Sequence, residues 1–170
     1  MRRLPSTMES WSIKVHKDYL KFSAAHFLIF PDGTAERLHG HNYKVYVEVH
    51  ATLDEHGLVL NFQDIKPCIK NLVDELDEHV LLPGEHPGLK IEDAGGSQLE
   101  VRYQDRFYSL PSDEVIVLPI SNSSAENLAG YLAHRLLDVL RNDFSDASLH
   151  TLVVGVEETP GQQGVVTIEL

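Results

Sequence analysis

Residues 42–52 alternate between polar and apolar side chains without a break, and this pattern constrains the fold more than any other in the chain. Side chains at every second position of a strand share one face, so the apolar members of this run need cover from other elements. These members are Tyr43, Val45, Val47 and Val49. Residues 11–25 show a looser alternation that includes Ile13 and Val15. The two segments predict adjacent antiparallel strands that present one apolar face to a second layer.

Residues 65–76 have the apolar spacing of an amphipathic helix that could supply this cover. Asp64 stands at the predicted N-cap, because its carboxylate can accept a hydrogen bond from the first turn. Pro67 is then expected in the first turn, where proline is tolerated.

A second helix is predicted from Ser123 or Ser124 to about Arg141. Its start carries a serine followed three residues later by a glutamate, Ser123 and Glu126, which is the pattern of a capping box. Beyond this helix, residues 150–170 predict a terminal hairpin of two strands.

Residues 83–122 interrupt this order with prolines, glycines and further strand-like runs, and they predict an inserted hairpin followed by a returning strand. The whole pattern predicts an α+β fold in which an antiparallel four-stranded sheet carries two helices on one face. Residues 11–170 are expected to form a single domain, and residues 1–10 a flexible N-terminal arm.

Composition narrows the classes of function. The 14 basic residues are outnumbered by 26 acidic ones, and the resulting net charge of −12 disfavours a nucleic-acid or anionic-membrane surface. Apolar runs are too short to predict a membrane span. The single Cys68 cannot form an internal disulfide, which fits a reducing, cytoplasmic location. We therefore expect a small-molecule partner.

Two histidines flank a glycine where the alternating strand begins. Positions two apart in a strand project to the same side, so His39 and His41 can converge on one metal ion. His26, at the end of the preceding strand, is the best-placed third ligand. Three imidazole nitrogens without a thiolate suit Zn²⁺ with an open fourth position. On spacing alone, a surface histidine pair remains the alternative.

Six short motifs occur together in a recognisable order, namely "FSAAH", "LHGHNYKVYVEV", "GLVLNFQDIK", "ELDEHVLLP", "SSAENLA" and "VEET". The chain from about residue 11 onward thus resembles the 6-pyruvoyltetrahydropterin synthase family, which includes 6-carboxytetrahydropterin synthases. The resemblance implies the tunnelling fold, a homohexamer built as a dimer of trimers, and zinc on His26, His39 and His41. It also implies a lyase that acts on a pterin triphosphate, 7,8-dihydroneopterin triphosphate.

The resemblance assigns substrate-binding residues as well. Glu158 and Thr159 match the family's pterin anchor, in which a carboxylate can accept two N–H bonds from the guanidine-like edge of the pterin. Ser124 and Glu126 lie in a segment that matches the lining of the pterin site. A capping role explains Glu126 equally well. Glu157 is expected on the opposite face of its strand.

One departure from the family pattern concerns the catalytic base. The residues before the His-Gly-His contain no cysteine, and Cys68 is expected on the core face of its helix. A subfamily without that cysteine has Glu-x-x-His-Gly-His, which Glu36 completes here. That subfamily cleaves the substrate side chain to 6-hydroxymethyl-7,8-dihydropterin, a folate precursor, so the resemblance implies Glu36 as general base. Alternatives are a solvated Glu36, a 6-pyruvoyl or 6-carboxy synthase with a base other than cysteine, and a non-catalytic pterin-binding oligomer.

A second departure concerns the Asp-His proton relay of the family. Asp77 aligns with the aspartate, but Glu78 stands in the place of the histidine and His79 follows one residue late. On a helix one position turns a side chain by about 100°. Either Asp77 and His79 form the relay after a local shift, or the relay is lost.

Overall fold

The computed structural model describes residues 9–170. The expected N-terminal arm therefore falls largely outside the described residues, and only its last two members, Glu9 and Ser10, are seen, both exposed ahead of the first strand. The helices are α1 (Phe62–Asp74) and α2 (Ala125–Asp143). The strands are β1 (Ser12–His26), β2 (His39–Ala51), β3 (His79–Pro83), β4 (Lys90–Gly95), β5 (Gln98–Tyr103), β6 (Arg106–Pro111), β7 (Val115–Leu118), β8 (Leu149–Thr159) and β9 (Gln162–Glu169).

The main sheet has six strands in the order β7-β3-β1-β2-β8-β9, so the prediction of four strands is wrong. The predicted antiparallel unit is present as β1, β2, β8 and β9. It is extended by β3, which pairs parallel with β1, and by β7, which pairs parallel with β3. Strand β7 is the returning strand predicted from residues 83–122, whereas β3 has only five residues, too few to show a clear alternation in sequence.

The inserted region forms a second sheet instead of one hairpin. Strands β4, β5 and β6 pair antiparallel in sequence order. The second sheet has its own apolar cluster, which is separate from the core under the helices and includes Val101 and Tyr103. The other buried members are Phe27, Ile29 and Leu82. The inserted sheet thus packs against the connection between β1 and β2.

An irregularity in β1 decides which face carries His26. His16 pairs with Tyr46 but Lys21 pairs with Lys44, so β1 takes five steps where β2 takes two. Strand β1 therefore has three more residues than β2 over this stretch. Because three is an odd number, the core-facing side chains of β1 change from odd-numbered to even-numbered positions across the irregularity. Before it Val15 faces the core, and after it Phe22, Ala24 and His26 are buried.

The N-cap of α1 lies three residues before the predicted one, whereas α2 begins at Ser124, one of its two predicted starts, without the predicted capping box. Asn61 caps α1 and accepts a hydrogen bond from the Gln63 N–H at 2.9 Å, so Pro67 lies in the second turn. Proline has no backbone N–H. A different residue at this position would be among the first in α1 whose N–H donates to the carbonyl four residues earlier. Ser124 caps α2 through the Asn127 N–H at 3.3 Å, which replaces the capping box expected with Glu126.

Both helices cover the same face of the main sheet, as predicted, and one continuous core fills the space between the layers. Gly164 of β9 permits the closest approach, because a Cβ atom there would lie 2.3 Å from the backbone nitrogen of Glu126. The first turn of α2 therefore rests directly on β9, and Ser123, two residues before the helix, contacts His26 and Phe27 at the end of β1. Within residues 9–170, neither helix has the combination of length and apolar character needed to cross a bilayer.

Candidate metal centre and active site

Three histidines meet where β1 ends and β2 begins. His26 and His39 are direct partners across the two strands, and His41 lies two residues further along β2 on the same face. One ring nitrogen from each lies within 4.8 Å of the others. The Nε2 atoms of His39 and His41 are 2.9 Å apart. The predicted ligand set therefore converges in space.

Backbone carbonyls determine which nitrogen of two of these rings faces the cluster. The Nδ1 atom of His26 donates to the carbonyl oxygen of Ser123 at 2.7 Å, and Nδ1 of His39 donates to that of Arg37 at 2.7 Å. A carbonyl oxygen only accepts, so the proton lies on Nδ1 and the Nε2 lone pair is free. Histidines that bind metals are commonly oriented in this way.

The buried nitrogen of His26 favours a metal ligand over a structural histidine. Its Nε2 atom is buried and has no hydrogen-bond partner among residues 9–170. An unsatisfied buried polar atom is costly unless another group fills its place. Burial also lowers the pKa of His26, which keeps the ring neutral as metal ligation requires. Three ring nitrogens in this arrangement fit a metal ion.

Two carboxylates flank the histidine cluster. Oε1 of Glu158 lies 3.3 Å from Nε2 of His41 in the same chain. Oε2 of Glu36 lies 3.9 Å from Nε2 of His39 and accepts a hydrogen bond from the Leu28 N–H at 3.2 Å. Both predicted carboxylates are therefore close to the cluster, on the side of different histidines.

The end of β8 presents its two adjacent glutamates to opposite faces. Glu158 continues the inward row of Val154 and Val156, and so it shares the face of the histidines. Glu157 turns to the other face, where its carboxylate accepts from the Gly161 N–H at 3.3 Å. This is the arrangement that the sequence predicts. The hydroxyl of Thr159 donates to the side chain of Gln162 at 2.8 Å.

A cleft of about 760 Å³ opens beside the cluster and is lined by His41, Glu158, Thr159 and His79. Its remaining charged lining groups are Lys44, Glu78, Glu114 and Glu157. Lys44 is thus the one basic side chain among the described residues that line the cleft, against four carboxylates. An anionic substrate would need further positive charge here.

Asp77 and His79 do not form a side-chain relay. The Asp77 carboxylate accepts from the Ser23 N–H at 2.7 Å, while Nδ1 of His79 donates to the backbone carbonyl of Asp77 at 2.6 Å. The expectation of a helix at this point is also wrong, because α1 ends at Asp74 and Glu78 has a left-handed φ of 60°. That turn places His79 on β3, at the cleft.

The remaining predicted residues lie apart from the cluster. Ser124 uses its hydroxyl to cap α2, and Glu126 is exposed and lines a separate cleft of about 550 Å³ together with His134 and Asp138. Cys68 is half-buried rather than on the core face, and its thiol lies 3.3 Å from the carbonyl oxygen of Asp64. Burial raises the pKa of this thiol. No thiol lies at the histidine cluster in residues 9–170.

Sequence reasoning missed the residues that hold the site together. The Asn122 side chain bonds both backbone groups of Ile29, at 3.2 and 2.9 Å, and the Ser123 hydroxyl donates to the carbonyl of Phe27 at 2.9 Å. The polar run before α2 was the available signal, but it also reads as a helix cap. These contacts tie α2 to the connection that carries Glu36.

Comparisons with known proteins agree with this arrangement. The profile of the family described as 6-pyruvoyl tetrahydropterin synthase matches residues 14–169. A Methanocaldococcus jannaschii protein with the provisional name 6-carboxy-5,6,7,8-tetrahydropterin synthase is 34% identical over 144 residues, which cover 84% of this chain and 86% of that protein. The 6-carboxy-5,6,7,8-tetrahydropterin synthase of Bacillus subtilis is 33% identical over 130 residues, or 75% of this chain and 73% of that protein.

Solved structures extend the similarity to the fold. The 6-pyruvoyl tetrahydropterin synthase of Plasmodium falciparum superposes with a TM-score of 0.89 at 29% identity, covering 95% of this chain and 99% of that one. Two structures of the Plasmodium vivax enzyme reach the same TM-score at 27% identity, covering 96% of this chain and 100% of that one. They carry alanine or cysteine in place of a glutamate described as a catalytic residue.

The profile match, the identities and the superposition together confirm the predicted family and its tunnelling fold with two helices. The chain therefore belongs to the 6-pyruvoyl tetrahydropterin synthase family of lyases.

Proposed function

We propose that the chain is a zinc-dependent lyase that acts on the side chain of 7,8-dihydroneopterin triphosphate, with Glu36 as proton acceptor and Glu158 as pterin anchor. The observation that carries this proposal is the placement of two carboxylates on either side of the histidine cluster, 3.9 Å from His39 and 3.3 Å from His41. Proton transfer needs a positioned acceptor at the reacting carbons, and binding needs a second group that orients the pterin.

His26, His39 and His41 would hold the zinc ion, which as a Lewis acid would make nearby substrate hydroxyls more acidic. Glu158 accepts two N–H bonds from the pterin edge and so fixes the direction of the side chain. Glu36 then takes a proton from that side chain. Its carboxylate is about one-third exposed and is held by the Leu28 N–H, so it is accessible from solvent yet ordered.

The names of the relatives favour a 6-carboxytetrahydropterin product over the 6-hydroxymethyl product that we expected from the sequence. We therefore place the 6-carboxy activity first, with Glu36 in the role that a thiol has in the cysteine-containing members. The 6-hydroxymethyl product is the second candidate. It is favoured by the Glu-x-x-His-Gly-His motif. The catalytic glutamate named for the Plasmodium vivax enzyme supports a glutamate as catalytic residue with either product.

Incubation with 7,8-dihydroneopterin triphosphate, followed by mass spectrometry of the pterin product, separates the two candidates. Formation of the 6-carboxy product supports the first and formation of the 6-hydroxymethyl product supports the second. Unchanged substrate under conditions in which zinc is bound would contradict both and favour a pterin-binding oligomer without catalysis.

We also propose that the site works within a homohexamer. The strands at the two ends of the main sheet, β7 and β9, each leave one backbone edge unpaired, and pairing between copies would cover such edges. The charge of the cleft supports the same conclusion. Lys44 and a zinc ion together cannot balance a triphosphate beside four carboxylates, so a neighbouring chain is expected to supply further basic groups.

A further inference from the structure

Glu36 lies on a connection with little regular structure of its own. Residues 27–38 join β1 to β2 and are closed by a hydrogen bond from the Glu36 N–H to the Leu28 carbonyl at 2.9 Å, next to a single bridge between Ile29 and Ala35. Connections of this kind open more easily than strands or helices. A carboxylate on such a segment needs support from outside to keep one position.

The inserted sheet supplies that support through three side chains at the β5–β6 turn. The guanidinium of Arg106 donates to the carbonyl oxygens of both Ala35 and Glu36. The hydroxyl of Tyr103 and the side-chain amide of Gln104 both donate to the carbonyl of Gly33, each at 2.9 Å. Donors from the second sheet therefore hold three backbone carbonyls of the connection.

Apolar packing strengthens the same contact. The ring of Tyr108 in β6 stacks on Phe27, a member of the apolar cluster of the inserted sheet, with centroids 5.8 Å apart. Ala35 and Leu38 pack against that cluster from the connection. The second sheet therefore covers the connection from Phe27 to the residue before His39.

Arg106 has the geometry for a positioning role. Its planar fork can donate to two neighbouring carbonyls at once, which a lysine cannot do with the same geometry. It is half-buried and makes no salt bridge within the described residues, so its hydrogen bonds in this structure go to the backbone of the Glu36 segment. The neighbouring Arg102 contrasts with it, because that side chain is exposed, pairs with Glu100 and covers Phe107.

We infer that the inserted sheet is a brace for the catalytic connection and that Arg106 is a positioning residue for the Glu36 carboxylate. This inference rests on the proposed role of Glu36. With the backbone of Glu36 held by Arg106 and its side chain held by the Leu28 N–H, the distance from the carboxylate to His39 is determined at both ends. A displacement of about 1 Å at a reacting group can lower a rate by about 10²-fold.

The first experiment measures the brace without reference to activity. Hydrogen exchange of the backbone amides of residues 28–36 is compared between the zinc-loaded wild type, Arg106→Ala and the control Arg102→Ala. We expect at least about tenfold faster exchange in Arg106→Ala alone, because local opening becomes easier. Unchanged exchange would overturn the inference whatever Glu36 does.

The second experiment measures the consequence for turnover. Arg106→Ala should lower kcat by about 10- to 100-fold, with KM and zinc content near those of wild type, and Arg106→Lys should recover part of the loss. In a Glu36→Gln background, Arg106→Ala should cause no further loss, because a positioning residue acts only through the group that it positions. Full additivity of the two losses would overturn the inference.

These outcomes separate the brace from the proposed function. If Glu36→Gln lowers turnover but Arg106→Ala does not, the brace is wrong and the role of Glu36 stands. If Glu36→Gln has no effect, the proposed function fails, and the exchange data still decide whether Arg106 orders the connection. Should Arg106→Ala not fold, Gln104→Ala removes one exposed donor to Gly33 and should accelerate exchange at residues 30–35 by a smaller factor; no acceleration would count against the brace.

Discussion

The Nδ1 atom of His26 lies 2.7 Å from the backbone carbonyl oxygen of Ser123, the residue immediately before the N-cap of α2. This bond orients the buried Nε2 atom of His26 toward His39 and His41. The start of a helix and the ends of two strands thus define the candidate metal centre together.

Loss of one histidine should empty the centre. His39→Ala and His41→Ala remove one of three nitrogen ligands, so we expect each variant to lose most of its zinc when purified without added metal. His79→Ala is the control, because His79 lines the cleft but lies outside the cluster. Metal analysis of the purified proteins measures the result. Full zinc content in His41→Ala would show that the ligand set is misassigned.

Glu158 should govern binding of the pterin more than the rate of the chemical step. Glu158→Gln removes the charge from a bidentate acceptor, so we expect KM to rise by about 10- to 100-fold with kcat less affected. Glu157→Gln is the matched control, because it removes the charge of the neighbouring cleft-lining carboxylate that is not beside the histidines, and it should raise KM much less than Glu158→Gln does. Equal effects of the two variants would contradict the assignment. Steady-state kinetics measures both.

The close approach of α2 to β9 should be visible in stability. Gly164→Ala places a Cβ atom 2.3 Å from the Glu126 nitrogen, so the helix start must move, and we expect a loss of about 1–3 kcal/mol in the free energy of unfolding. Gly130→Ala lies within α2 and its Cβ meets nothing within 4 Å, so it should stabilise the protein by about 1 kcal/mol. Urea denaturation of the metal-free proteins measures both changes. A neutral Gly164→Ala would contradict this packing.

Light scattering tests the proposed assembly. We expect a particle with the mass of six chains of 19.1 kDa at micromolar concentration. Neighbouring copies would pair with the unpaired edges of the main sheet and would supply basic groups to the acidic cleft. A monomer at that concentration would contradict the hexamer and the argument that another chain completes the cleft.

Much of the fold follows from local pattern. The alternation in β2 predicts its pairing with β1, and the apolar stripe of α2 predicts the face that it buries. The returning strand is predicted and is present as β7, but β3 and the parallel pairing of both strands could not be predicted, because a run of five mostly apolar residues has no period that distinguishes a strand from a loop in the core. The face of His26 depends on an irregularity in β1 that the sequence does not mark.

The candidate site could likewise be predicted only in part. His39 and His41 can be paired from their spacing, since two positions along a strand return to one face. The roles of Glu36 as general base and Glu158 as pterin anchor are predicted from the family resemblance. Arg106 could not be found in either way, because its partners are backbone carbonyls 70 and 71 residues earlier in the chain, and a carbonyl is the same at every position.

The turnover of Glu36→Gln with 7,8-dihydroneopterin triphosphate tests the central claim most directly. Glutamine keeps the shape of the side chain but cannot accept a proton, so we expect a fall of about 10²- to 10⁴-fold with zinc content and pterin binding unchanged. Cys68→Ser, which alters a half-buried thiol on α1 that lies 3.3 Å from the carbonyl oxygen of Asp64, should retain its activity. Full activity in Glu36→Gln together with loss of activity in Cys68→Ser would contradict the carboxylate base.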